Sequence, residues 1–355
     1  MASTTSVYVD PKTGGVQAGL MQFRNAIING DMRINQRGTS TILASLTAVG
    51  ATHGWVSDRW NVYRNGFVTG IVMGQGTDLS LNDLPFQEAG ITTFNRVGRL
   101  SGNTATDLIY SSYNIESQDS IKYKGKQVTF SFYARAGVNF SGSVLYGELI
   151  TGAGTDQALR SGYTSGTVEG SVTPILNSTW RRYTLTRTIS QFSTQCGVRF
   201  AYLPTGTALA ADYFDITGVQ LELGSVATPF EMRPYPVELQ LCQRYYEKSY
   251  SINTAPGTNT NSGLIVFHGT IDRYGNALYN YRFIICKRTA PSMTFYTYSG
   301  TLNQWSYDSD GNAGSNTITN IFLNELGGNL YVFISYALAF KAMTMSGYWV
   351  ANAEL

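Results

Sequence analysis

Gln127-Val-Thr-Phe-Ser-Phe-Tyr-Ala134, Arg181-Arg-Tyr-Thr-Leu-Thr-Arg-Thr-Ile189 and Gly197-Val-Arg-Phe-Ala-Tyr202 decide the fold class. Each is a short run rich in aromatic and β-branched residues, bounded by Gly, Asn, Asp or Ser. From Phe23 to about Glu231 such runs follow one another at short spacing, the texture of a sandwich or barrel and not of strand–helix alternation. After a polar loop, Ser251 to Ser262, the texture returns to the end of the chain. There Phe283-Ile-Ile-Cys286, Met293-Thr-Phe-Tyr-Thr-Tyr298 and Leu330-Tyr-Val-Phe-Ile-Ser-Tyr336 are the expected strands. No fixed-period repeat occurs, which disfavours a solenoid, propeller or long β-helix.

One segment breaks the pattern. Pro236-Val-Glu-Leu-Gln-Leu-Cys-Gln-Arg-Tyr-Tyr-Glu-Lys248 opens on a proline with an early glutamate, and its apolar residues fall at helical spacings. A helix of about three turns is expected here. The organisation that follows is a polar arm over 1–22, a β-domain over 23–235, a linking helix over 236–250 and a β-rich domain over 251–355. An isolated helix this short is marginal. Its apolar positions, Leu239, Cys242 and Tyr246 among them, cover more than one narrow stripe, so they are expected to contact another chain.

Composition limits the partners. Among 355 residues the net charge is +2 and only 14% are charged, which gives no electrostatic case for nucleic acid or an anionic membrane. The longest apolar stretch, Leu330 to Phe340, is too short to cross a bilayer as a helix. Residues 1–10 lack a secretory leader's basic and apolar segments. Three scattered cysteines, Cys196, Cys242 and Cys286, make neither a disulfide framework nor a metal knuckle.

Catalytic signatures are lacking. His53 and His268 belong to no metal-binding cluster, no nucleophile elbow or phosphate loop occurs, and Gly70-Ile-Val-Met-Gly-Gln-Gly76 suits a strand with tight neighbours. Glu88, Glu116, Asp119, Glu148 and Asp156 could in principle supply a glycosidase pair, which needs two carboxylates about 5–10 Å apart, but nothing in their spacing singles out two of them. Groups for stacking on and bonding to sugar are plentiful: Trp180, Tyr110, Tyr113, Tyr146 and Tyr163, with Trp305, Tyr307 and Tyr296 later in the chain. Trp305 lies in the polar run Asn303-Gln-Trp-Ser-Tyr-Asp-Ser-Asp-Gly311 and is expected to be an exposed contact residue. Trp55, Trp60 and Trp180 are expected in the core.

Three segments in order carry a resemblance. They are Asn25-Ala-Ile-Ile-Asn-Gly-Asp-Met-Arg-Ile-Asn-Gln-Arg-Gly38 with Trp55-Val-Ser-Asp-Arg-Trp60, then Ile216-Thr-Gly-Val-Gln-Leu-Glu-Leu-Gly-Ser-Val-Ala-Thr-Pro-Phe-Glu231, then Glu238-Leu-Gln-Leu-Cys-Gln-Arg-Tyr-Tyr246. This series, with the ending Trp349-Val-Ala-Asn-Ala-Glu-Leu355, resembles bacteriophage tail-fibre and related virion fibre proteins. Their first domain is a carbohydrate-binding-module-like jelly roll. The resemblance implies an all-β chain: an N-terminal jelly-roll β-sandwich, a short linking helix and a C-terminal β-sandwich. It implies a non-enzymatic virion subunit, a homotrimer joined to other virion proteins through the 1–22 arm, that attaches to host surface glycan. A purely architectural collar or capsid decoration is the alternative, and a glycan-cleaving tailspike a more distant one. It also implies a structural calcium where first and last strands meet, at Asp31 and Asp215, although two ordinary turn and strand aspartates are the favoured reading of those positions.

Overall fold

The computed structural model describes residues 8–9, 16–17, 23–38, 44–45, 53–64, 70–104, 107–309, 311–333 and 341–355. In chain order the elements are β1 (Tyr8–Val9), β2 (Val16–Gln17), β3 (Ala44–Ser45), β4 (His53–Trp55), β5 (Asn61–Arg64), β6 (Ile71–Gly76), α1 (Leu84–Ala89), β7 (Phe94–Arg99), β8 (Ile109–Asn114), α2 (Ser117–Ser120), β9 (Gln127–Ala136) and β10 (Tyr146–Gly152). Then come β11 (Thr167–Val172), β12 (Arg181–Thr188), β13 (Gln195–Tyr202), β14 (Tyr213–Leu223), α3 (Tyr235–Gln243), β15 (Tyr246–Lys248), β16 (Ile265–Thr270), β17 (Asn276–Arg282) and β18 (Ser292–Tyr296). The last are β19 (Gln304–Ser309), β20 (Asn312–Thr317), β21 (Thr319–Asn324), β22 (Gly327–Phe333) and β23 (Ala342–Asn352). The proposed 1–22 arm lies outside the described residues, apart from the antiparallel pair β1–β2.

The chain is nearly all β. Two six-stranded sheets, β12-β9-β14-β7-β6-β3 and β11-β10-β13-β8-β5-β4, face each other as a jelly-roll sandwich. Alternation buries one side of each strand: Val128, Phe130 and Phe132 of β9 meet Val198 and Phe200 of β13 in one core. Phe132 stands edge-on to Phe200, 4.8 Å between centroids. Trp60 is fully buried, as expected, and donates from Nε1 to the Asn29 carbonyl at 3.0 Å. The long strand β14 runs between β9 and β7, and segment 26–30 closes against it through Ala26 N–H to Leu221 O and Val219 N–H to Gly30 O, both 2.8 Å. Gly30 permits that approach, since a Cβ there would sit 2.2 Å from the Val219 oxygen.

A second core follows. β23 is its spine: β16 and β19 pair with its first half, β15 and β18 with its second. The three-stranded sheet β17-β22-β21 packs over it, bringing Ala277, Leu330 and Val332 onto Trp305, Met343 and Met345. Two expectations are corrected here. Phe283–Cys286 is not a strand but a loop after β17, pinned by Ile284 N–H donating to Glu247 at 3.0 Å. The helix ends at Gln243, after which Tyr246–Lys248 is recruited as an edge strand of β23.

The helix is also covered differently from what its apolar residues implied. Cys242 is fully buried and Tyr246 is 5% exposed, both within the one chain, and Leu239 and Leu241 are half-buried. Cys242 and Tyr246 are thus covered by their own chain, while Leu239 and Leu241 keep part of their surface. Glu238 of α3 is bonded by Asn29 N–H and Arg233. Arg244 grips Glu116 with two bonds of 2.8 and 2.9 Å. Gln36 Nε2 donates to Tyr246 O at 2.7 Å, and the Arg59 guanidinium lies 3.4 Å over the Tyr245 ring. At the far side of the seam Glu354 takes Arg59 and Arg37.

Candidate functional site

The outer face of the sheet β11-β10-β13-β8-β5-β4 carries two cross-strand rows. Since Val62, Ile109, Phe200 and Leu149 point into the core, their neighbours point out. Register places Tyr63 beside Tyr110, Tyr110 beside Ala201, and Ala201 beside Tyr146. The next row is Asn61, Ser112, Arg199 and Glu148. Tyr63, Tyr110, Ala201, Asn61 and Ser112 are buried, so the accessible end of both rows is Tyr146, Arg199 and Glu148, each half-buried.

Within the rows the groups are already arranged by one another. Tyr63 and Tyr110 stack with centroids 4.8 Å apart, and the Arg199 guanidinium caps Tyr110 at 4.9 Å. Arg199 Nε donates to Glu148 at 2.7 Å. Burial works against the Arg199 charge, yet the bonded Glu148 carboxylate holds its guanidinium above the ordinary arginine range. Burial also raises the Tyr63 and Tyr110 phenols. Tyr146 is half-buried and shares its edge of the face with Leu108.

Two cavities open here and share Arg199. One of about 180 Å³ is lined by Leu108, Tyr110, Tyr146, Glu148, Arg199 and Ala201. The other, about 240 Å³, lies toward Ile150, Leu159, Tyr163 and Val168. Small residues on β13 leave the room. A Cβ on Gly197 would sit 2.8 Å from both Leu159 Cδ1 and the Tyr163 hydroxyl. The result is a groove along β10 and β13 with an aromatic side, apolar ends and a fixed charged pair in the middle. Such a surface can lie against the apolar face of a ring while forked donors and acceptors meet its hydroxyls.

The residues singled out from sequence are placed as follows. Trp305 is 1% exposed, which corrects the expectation of an exposed contact. Its ring lies over Gly347, where a Cβ would be 2.3 Å from Cδ1, and Nε1 donates to Tyr348 O at 3.0 Å. Tyr307 is half-buried: it packs on the second core and also lines a groove on the β23 sheet. Tyr296 faces out but stands edge-on to Tyr250, which stacks on Tyr348 at 3.7 Å beneath the 250–260 loop. Asp215 is fully buried and taken by Arg96 and Arg135 at 2.7 and 2.9 Å, and Asp31 pairs with Arg33 at 3.0 Å. Both carboxylates thus lie beside guanidinium groups. No group of three His, Cys, Asp or Glu comes together to hold a metal among the described residues. Of the acids weighed for glycosidase chemistry, Glu116 and Asp156 pair with Arg244 and Arg288, and Glu148 with Arg199. The sequence offered Tyr110, Tyr146 and Tyr163 as sugar-stacking groups. It gave no sign of Arg199, which only the register of β10 against β13 brings beside them.

No protein-family profile matches the chain, and no curated protein matches its sequence. Among solved structures it is similar to the enzymatically active domain of bacteriophage CBA120 tailspike protein 4. That match has 11% identity and a TM-score of 0.34, over 57% of this chain and 22% of that one. It is also similar to a xylan-binding domain of carbohydrate-binding-module family 22, at 13% identity and TM-score 0.32, over 52% of this chain and 99% of that one. A family 61 module in complex with β-1,4-galactotriose matches at 11% identity and TM-score 0.30, over 57% and 99%. The chain thus spans about a fifth of the tailspike structure's length. At such TM-scores these likenesses carry no argument about ligand or activity.

Proposed function

We propose that this chain is an attachment protein that holds saccharide, without cleaving it, in the groove over Tyr146, Arg199 and Glu148. The observation that carries the reading is the Arg199–Glu148 pair fixed at 2.7 Å between two cavities on an aromatic sheet face. A free carboxylate pair is what hydrolysis would ask for, and Glu148 is instead held by a guanidinium. The resemblance to phage fibre proteins supports a place on a virion surface, where many weak sites act together. The homotrimer rests on that resemblance, because Cys242 and Tyr246, first expected at its contacts, are covered by their own chain.

The test is a glycan array of bacterial surface polysaccharides, read alongside assays for released reducing ends. Binding by the wild-type chain, lost in Arg199→Ala and unaccompanied by new reducing ends, is the expected result. Reducing ends released by the purified protein would overturn the non-enzymatic part. Full binding by Arg199→Ala would move the site elsewhere.

A further inference from the structure

We propose that the second sandwich carries a saccharide site of its own, a groove on the outer face of the β23 sheet that takes neutral sugar and rejects acidic sugar. The groove is about 490 Å³. Because Trp305 and Met345 point into the second core, Ser306 and Ser346 point out. Register sets Ser315, Ser306 and Ser346 in one row across three strands, and Ala313, Asp308 and Thr344 in the next. Two of the hydroxyls are already engaged: Ser315 donates to Gln304 at 2.8 Å, and Thr344 lies 3.0 Å from His268 Nδ1. Those of Ser306 and Ser346, side by side on adjacent strands, have no partner among the described residues. They can each donate and accept, as a sugar hydroxyl can.

One wall is the turn Thr297–Thr301, and it is rigid. Thr297 N–H donates to Thr301 O at 3.0 Å, and Thr301 N–H returns to Thr297 Oγ1 at 2.9 Å. Behind it Gly300, at φ 90°, sits so close to Gly257 that a Cβ would be 2.1 Å from the Gly257 oxygen. This wall presents Tyr298, 49% exposed, to the groove. A ring carried on a rigid turn beside an array of hydroxyls offers a pyranose an apolar face to settle on.

Charge sets the class of sugar. Asp308 is the one acidic or basic residue lining the groove among the described residues, and it forms no ion pair with any of them. A lone carboxylate beside the ligand repels uronate, sulfate and phosphate groups and accepts bonds from neutral hydroxyls. The first groove, with Arg199 at its centre, lacks that bias.

The experiment uses the full chain carrying Arg199→Ala, which disables the first groove, titrated with a neutral hexose oligosaccharide and with its uronic-acid counterpart. The expected result is binding of the neutral sugar with at least about tenfold preference. Tyr298→Ala and, separately, Ser346→Ile, which fills the floor from a half-buried strand position, should each weaken it by about tenfold or more. Unchanged melting temperatures would show that both variants fold. Asp308→Asn should admit the uronate. Binding by the wild-type chain that vanishes entirely with Arg199→Ala overturns the second site and leaves the first standing. Unaltered affinity in Tyr298→Ala and Ser346→Ile also overturns it. A wild-type chain that binds neither sugar at about 1 mM removes both sites.

Discussion

Arg199 and Trp305 show what a single position reveals in a β protein. Along Gln304-Trp-Ser-Tyr-Asp-Ser309, the polar neighbours of Trp305 suggested a loop, yet they are the outward half of a strand whose other half faces the core. Strict alternation across that stretch was the signal that could have placed Trp305 inside. Trp305→Ala should therefore cost about 3–5 kcal/mol in denaturant unfolding and leave the first groove's saccharide binding intact. A stability close to wild type would put the ring outside the core. Asp58 supplies a second residue-scale test. Burial outweighs the neighbouring Arg37 and raises its carboxyl to about 6 from an ordinary 3.8. A carboxyl raised in the folded state contributes stability that is full below its unfolded value and lost as the pH rises through about 6. Asp31, raised to about 6, acts in the same sense, and His53, lowered to about 4 chiefly by burial, acts in the opposite one. The wild-type curve therefore mixes these groups, and comparison with Asp58→Asn isolates one of them. On going from about pH 7 to about pH 5 the wild type should gain stability relative to that variant. A difference that does not change with pH would mean Asp58 ionises normally.

At the scale of elements, the strands were legible because alternation and turn residues are local properties. β9, β12 and β13 all lie where their sequence runs place them. What is non-local was not legible. Asp215 meets Arg96 and Arg135, which are 119 and 80 residues away, so its ion pairs could not be read from its own strand. Nor could the closing of the Arg199 groove, which needs the register of β10 against β13. The helix α3 failed in a related way. Its apolar residues do need a covering surface, and the same chain provides it by folding β15 onto β23. Glu238 holds this arrangement through Asn29 N–H and Arg233. Glu238→Ala would leave the buried Arg233 charge with only the more distant Glu231, at 3.6 Å, so the loss should be toward the low end of the about 3–5 kcal/mol typical of a broken buried pair. Urea unfolding of the variant measures that loss, and a loss well under about 1 kcal/mol would mean the seam does not depend on this pair.

Across the whole molecule, the two cores are joined by buried charge and not by a loose linker. Arg59 and Glu354 are each almost wholly buried where they meet, Arg244 takes Glu116, and Arg288 takes Asp156. A seam of this kind fixes the two sandwiches relative to each other, so a groove on the first sheet is presented at a set angle to the second domain and to whatever carries the chain. The central claim is that the groove over Tyr146 and Arg199 holds saccharide. It is tested most directly by a structure of the chain with the saccharide that the array selects. The expected result is a sugar ring against Tyr146 with its hydroxyls on Arg199 and Glu148, and both side chains in the positions they already hold. A bound saccharide that leaves this groove empty would contradict the claim.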